Sequence, residues 1–208
     1  MLDENLHDIL TEAFNMGVGA AASVLSELAD DEIILSVPSL EFMEKRAATE
    51  LLDSKGEERL TGIAQTFNGK FNGTAMLLFP STQSLEMVRL FIKESVSLEM
   101  LTEFEEEALC EIGNIILNAC LSSMADLFQH EIDSGLPRFR SGPAESVLDV
   151  NQEQSDEIVL FLNISFNLKK NAIEGYLTFL LDLDSISNLK VMLSDYIAKM
   201  MPGYAAAK

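Results

Sequence analysis

Two stretches of the chain carry apolar residues every three or four positions over many turns. In the first, Leu6, Ile9, Leu10, Ala13, Gly17, Ala20, Val24 and Leu28 form one stripe; in the second, Ala108, Leu109, Ile112, Ile116, Ala119 and Leu127 do. That spacing predicts long helices over about 4–29 and 101–129, each with one buried and one solvated face. Other segments read as strands. "LTGIAQTFNG" and "FNGTAMLLFP" are β-rich runs joined across Asn-Gly-Lys, a hairpin signal, and "EIVLFLNISFNL" and "IEGYLTFLLD" make a second pair. A helix follows each pair, "STQSLEMVRLFIKES" with Ser81 as a plausible N-cap, and "SISNLKVMLSDYIAKM". Shorter helical pieces, "KRAATELLDS" and "PAESVLDV", precede the strand pairs.

This order occurs twice. Glu12 aligns with Glu111, Asn15 with Asn114 and Pro38 with Pro137, each pair 99 residues apart. Each half runs long helix, proline-containing segment, short helix, two strands, closing helix. No Gly/Pro/Ser-rich linker separates the halves near residue 98. The expected architecture is a single α+β domain over 1–208 with internal repeats of about 1–98 and 99–208. A pseudo-two-fold would relate them, with the two long helices packed on one face of a shared β-sheet.

Composition narrows the function. The formal net charge of -20 repels nucleic-acid phosphates and anionic lipid, so neither nucleic acid nor membrane is an expected partner. No apolar run approaches the roughly 18 residues of a membrane span, and "MLDENLHDIL" lacks the basic and apolar regions of a signal peptide, so a cytoplasmic protein is expected. Cys110 and Cys120 fall on one predicted helix about 15 Å apart, too far to bridge, and read as reduced packing residues. With only two histidines, His7 and His130, and no Cys/His cluster, a zinc site is not expected.

The polar faces of the long helices carry the candidate chemistry. Asp8, Glu12, Asn15 and Gly19 share one side in the first half, and Glu107, Glu111, Asn114 and Asn118 in the second. A lone Glu-x-x-Asn is common on solvated helix faces and means little. Two copies at one offset, each with a proline 23 residues beyond its asparagine, mean more, because exposed positions drift after duplication. "GVGAAA" at 17–22 matches a dinucleotide fingerprint only in letters: its glycines sit inside a helix instead of opening one. Their role reads as steric, with Gly19 leaving room for a partner near Asn15. "NGT" at 72–74 and "NIS" at 163–165 read as turn and strand residues.

Asp8-x₃-Glu12-x₂-Asn15-x₂₂-Pro38 and Glu107-x₃-Glu111-x₂-Asn114-x₂₂-Pro137 resemble the motif of the CheC/CheX/FliY family of chemotaxis response-regulator phosphatases. The resemblance spans the chain, and two full motifs look more like CheC than single-motif CheX. Glu107 stands where the family prefers Asp or Ser. The resemblance implies hydrolysis of an aspartyl phosphate on a CheY-like receiver domain. Asn15 and Asn114 would orient the attacking water, and Glu12 and Glu111 would pair with the receiver's lysine. Asp8, Pro38, Glu107 and Pro137 would support the motif. The protein would need no cofactor of its own, since the receiver supplies Mg²⁺. Alternatives are a non-catalytic module binding a receiver domain or a CheD-like deamidase, and a flagellar-switch component.

Overall fold

The repeat is written into the element order of the computed structural model, which describes residues 4–54, 59–91, 98–149, 158–168 and 172–200. The first half runs α1 (Glu4–Ala29), β1 (Ile33–Glu44), α2 (Lys45–Ser54), β2 (Leu60–Asn68), β3 (Gly73–Pro80) and α3 (Ser81–Phe91). The second runs α4 (Leu98–Phe128), β4 (Asp133–Ser134), β5 (Arg138–Gly142), α5 (Ala144–Leu148), β6 (Ile158–Leu168), β7 (Ala172–Leu181) and α6 (Leu183–Met200). The ends of the expected helix at 92–95, of the short helix at 150 and of the strand at 157 lie outside the described residues.

Both long helices stop by the same device. Asp30 and Gln129, again 99 residues apart, each adopt φ 56°. The next N–H turns back to the helix: Asp31 N–H donates to the Ser26 carbonyl and His130 N–H to the Ala125 carbonyl. This is the Schellman ending, here without the usual glycine, so the left-handed residue carries some strain.

The seven strands among the described residues lie in one antiparallel sheet of order β1-β6-β7-β3-β2-β4, with β5 continuing the β4 edge of β2. The central pair, β3 and β7, comes from opposite halves. The outer strands are exchanged: β1 of the first half pairs only with β6 of the second, and β4 and β5 of the second half pair with β2 of the first. Neither half therefore completes its own sheet.

The long helices cover one face. Phe14, Leu25, Phe67, Phe71, Leu177 and Phe179 fill the layer between, with the Phe14 and Phe179 rings 5.1 Å apart. The short helices α2 and α5 cover the other face over Leu52, Leu60, Met76, Val147, Phe161 and Tyr176. Lys45 Nζ meets Asp149 Oδ1 at 3.0 Å, linking the start of α2 to the end of α5.

The buried stripe of α1 differs from the expected one. Leu10, Ala13 and Gly17 are buried as expected, but Ala20 is exposed and Val24 and Leu28 are about half exposed. Phe14, Val18, Ala21 and Leu25 face inward in their place. The side chain of Leu6 lies outside the described residues. The reason is close helix contact: a Cβ on Gly17 would sit 2.9 Å from Cys120 Cα and 3.0 Å from the Ala119 carbonyl oxygen. Gly17 thus faces α4, and the sheet-facing row rotates toward Phe14 and Val18. On α4 the expected Leu109, Ile112 and Ile116 are joined in the core by Leu117, Cys120, Leu121 and Met124. Both cysteines are free. Burial pushes the Cys120 thiol up to about 12, and burial followed by the nearby Glu106 carboxylate raises that of Cys110.

One expectation is corrected. By length and mean hydropathy His7–Ala29 and Leu101–Phe128 are apolar enough to span a bilayer, against the expectation that no stretch approaches that length. Both are core helices here, packed on the sheet and on each other.

Candidate functional site

The two prolines sit where each outer strand slips. Ser36 pairs with Ser165 but Ser39 with Asn163, so β1 spends one residue more than β6 across Val37–Pro38. In the second half Ser134 pairs with Phe67 and Arg138 with Ala64, the same one-residue excess across Gly135–Pro137. Proline has no N–H to give a ladder, so a bulge is where an outer strand accommodates it.

The bulge frees a donor. Val37 N–H, no longer in the ladder, donates to Asn15 Oδ1 at 3.0 Å. A backbone N–H can only donate, so the Asn15 amide is held oxygen-inward and its Nδ2 is left for the outer side. Glu12, one turn earlier on α1, is exposed, as is Asp8 beyond it. Asn15 itself is half-buried, so it is less open than the sequence suggested but is not a core residue.

Asn114 occupies the matching place on α4 and is also half-buried, with Glu111 and Glu107 exposed before it. Its restraint is different. Asn114 Oδ1 accepts from Asn118 Nδ2 at 2.8 Å. Asn118 Oδ1 accepts from Gln65 Nε2 at 3.0 Å and from Ser134 Oγ at 2.9 Å. Gln65 Nε2 also donates to the Gly135 carbonyl at 2.8 Å. The first site has no such chain, because Asn118 corresponds to Gly19, where a Cβ would meet nothing within 4 Å, and Gln65 corresponds to Ile164. The apolar surroundings differ as well: Leu136 beside Pro137 is 85% exposed, whereas its counterpart Val37 is 4% exposed.

The sequence reading placed Asn118 on this face but missed Gln65 and the Val37 N–H. The signal for Gln65 was present. On β2 it lies between Ile63 and Phe67 in the row facing the long helices, one polar side chain in an apolar alternation. The Val37 contact required knowing that Pro38 sits in a bulge.

Charge does not cluster away from these faces. Asp8 and Glu12 are exposed on α1, and Glu103, Glu106, Glu107 and Glu111 on α4. Among the described residues no group of three or more His, Cys, Asp or Glu is placed to hold a metal ion. The arrangement offers two half-buried amide groups, each with an exposed carboxylate one turn before it, on the helix layer over the sheet. Such groups hold and orient a small polar molecule.

This defines a class: a two-fold α+β repeat bearing paired Glu/Asn helix faces. Residues 7–41, which hold the whole first motif, match the model of the CheC-like family. The chain is 26% identical over 202 residues to the CheY-P phosphatase CheC of Bacillus subtilis, covering 92% of this chain and 95% of that one. The crystal structure of Thermotoga maritima FliY superposes with a TM-score of 0.76 at 15% identity, over 94% of this chain and 99% of that one. CheX in the Borrelia burgdorferi CheX–CheY–BeF3–Mg²⁺ complex superposes with a TM-score of 0.52 at 18% identity, over 82% and 97%. The FliM middle domain from H. pylori shares the fold too, with a TM-score of 0.61 at 11% identity over 92% and 99%. The chain is thus similar to CheC in sequence and to FliY and CheX in fold.

Proposed function

We propose that the protein is a phosphatase for the aspartyl phosphate of a CheY-like chemotaxis response regulator, acting from two sites in the cytoplasm. One observation carries the reading. Both motif asparagines are held by the acceptor oxygen, leaving the amide nitrogen for an incoming group, and each has an exposed glutamate one turn away. Similarity to a CheY-P phosphatase over nearly the whole chain supports it.

An aspartyl phosphate is already activated, and Mg²⁺ on the receiver offsets charge on the phosphoryl group as part of the substrate. What remains is to hold a water in line with the leaving oxygen. The amide of Asn15 or Asn114 has Nδ2–H and the second lone pair of Oδ1 available for that water. Glu12 or Glu111 would pair with a receiver lysine and seat the helix face over the pocket, a directional contact that strengthens as water leaves. The acidic faces slow approach to an acidic pocket at low salt, so the short-range pair matters more for docking.

The test is phosphate release from a phosphorylated receiver domain on adding this protein. Faster release that depends on Asn15 and Asn114 supports a phosphatase. Binding without faster release would make the protein a docking module for the receiver or for a CheD-like partner. Likeness to the FliM middle domain favours a second reading, a flagellar-switch component, for which stable association with switch proteins is the deciding result.

A further inference from the structure

The second site is held by three side-chain amides in series, and their polarity is set from one end. The Gly135 carbonyl can only accept, so the Gln65 group facing it at 2.8 Å must be the amide nitrogen. That nitrogen also faces Asn118 at 3.0 Å, so Asn118 must present its oxygen there. Ser134 Oγ, 2.9 Å from the same oxygen, is compatible with that orientation. Asn118 then turns its nitrogen to Asn114, 2.8 Å away, and Asn114 must offer its oxygen. The last amide in the series is thereby left with its nitrogen on the outer side.

The series is costly to maintain. Gln65 is 1% exposed, and its Oε1 is buried with no hydrogen-bond partner among the described residues. An unpaired buried oxygen disfavours the folded state, and Ile164 of β6 shows that an apolar side chain fills the matching place beside the first site. Stability alone gives no reason for glutamine here.

We propose that Gln65 and Asn118 are positioning residues for the second site. They fix which end of the Asn114 amide faces the substrate, and at the first site their places are taken by Gly19 and Ile164, which cannot do so. The inference rests on the phosphatase reading and assigns its second site a device of its own. Gln65 and Asn118 touch Asn114 or each other and need not touch the substrate.

The test is steady-state hydrolysis of a phosphorylated receiver in an Asn15→Ala background, where the second site alone works. Asn118→Asp keeps the shape but cannot donate to Asn114, and Asn118→Gly copies the first half. Both are expected to lower kcat roughly 10-fold or more with KM little changed, as misoriented groups do. Gln65→Leu should do the same and add no further loss when combined with Asn114→Ala. A space-filling role for Asn118 predicts instead that the near-isosteric Asn118→Asp is harmless, and that result would overturn the proposal. So would wild-type kcat in both Gln65→Leu and Asn118→Gly. Matching circular dichroism and melting curves keep loss of fold out of the comparison. The phosphatase reading fails separately, if the Asn15→Ala/Asn114→Ala double variant hydrolyses at the wild-type rate.

Discussion

The two halves solve one problem in two ways. In the first, a main-chain N–H released at the Pro38 bulge holds the amide oxygen of Asn15 directly. In the second, the equivalent bulge leaves Leu136 outward, and Asn114 is held through Asn118 and Gln65. Either restraint leaves the amide nitrogen for the outer side. The register of the outer strands is the same in both halves, while the contacts that fix the asparagine have diverged. Conserved geometry reached through different partners suggests that the amide's orientation matters more than any one contact that produces it.

The sharpest way to break the comparison is to separate its terms. With the outer strands exchanged, residues 1–98 and 99–208 expressed alone should each lack native helix content and a cooperative melt. A half that folds alone would mean that strand exchange is incidental. Gly17→Ala comes next: its Cβ would press on main-chain atoms of α4, which cannot swing aside, and a loss of about 1–3 kcal/mol in urea unfolding is expected. Pro38→Ala should cost less, about 0.5–1 kcal/mol through the unfolded chain. It should also lower first-site hydrolysis by loosening the bulge that presents Val37 N–H, while leaving the second site unchanged. Smallest, and opposite in sign, is Gly19→Ala. Its Cβ meets open space, so stability should rise by about 0.5–1 kcal/mol. If Gly19 clears room for the receiver, first-site activity should fall in the same variant; unchanged activity would reduce Gly19 to a neutral position.

Much of this was legible in the sequence because the repeat doubles every signal. The offset of 99 fixed the alignment of Glu12, Asn15 and Pro38 with Glu111, Asn114 and Pro137, and the strand pairs and long helices followed from periodicity. Three features were not legible. The buried row of α1 was misjudged toward Val24 and Leu28, because Gly17 reads as a weak core position when it is the contact point with α4. Exchange of the outer strands leaves no local mark, since β1 has the same alternation whichever strand it joins. The restraint on each asparagine depends on a bulge and on a buried glutamine far away in sequence, and side-chain pairing at that range is set by tertiary packing alone. Gln65 was visible only as an oddity in an apolar strand.

The central claim is that two outward amides work independently, and hydrolysis by four proteins tests it most directly. Initial rates against receiver concentration are compared for wild type, Asn15→Ala, Asn114→Ala and the double variant. Each single variant should keep the activity of its untouched half, and the two residual rates should sum to that of the wild type. The double variant should fall by about 10²-fold or more, the usual cost of removing an orienting group from a site. Wild-type turnover in the double variant would contradict the account outright.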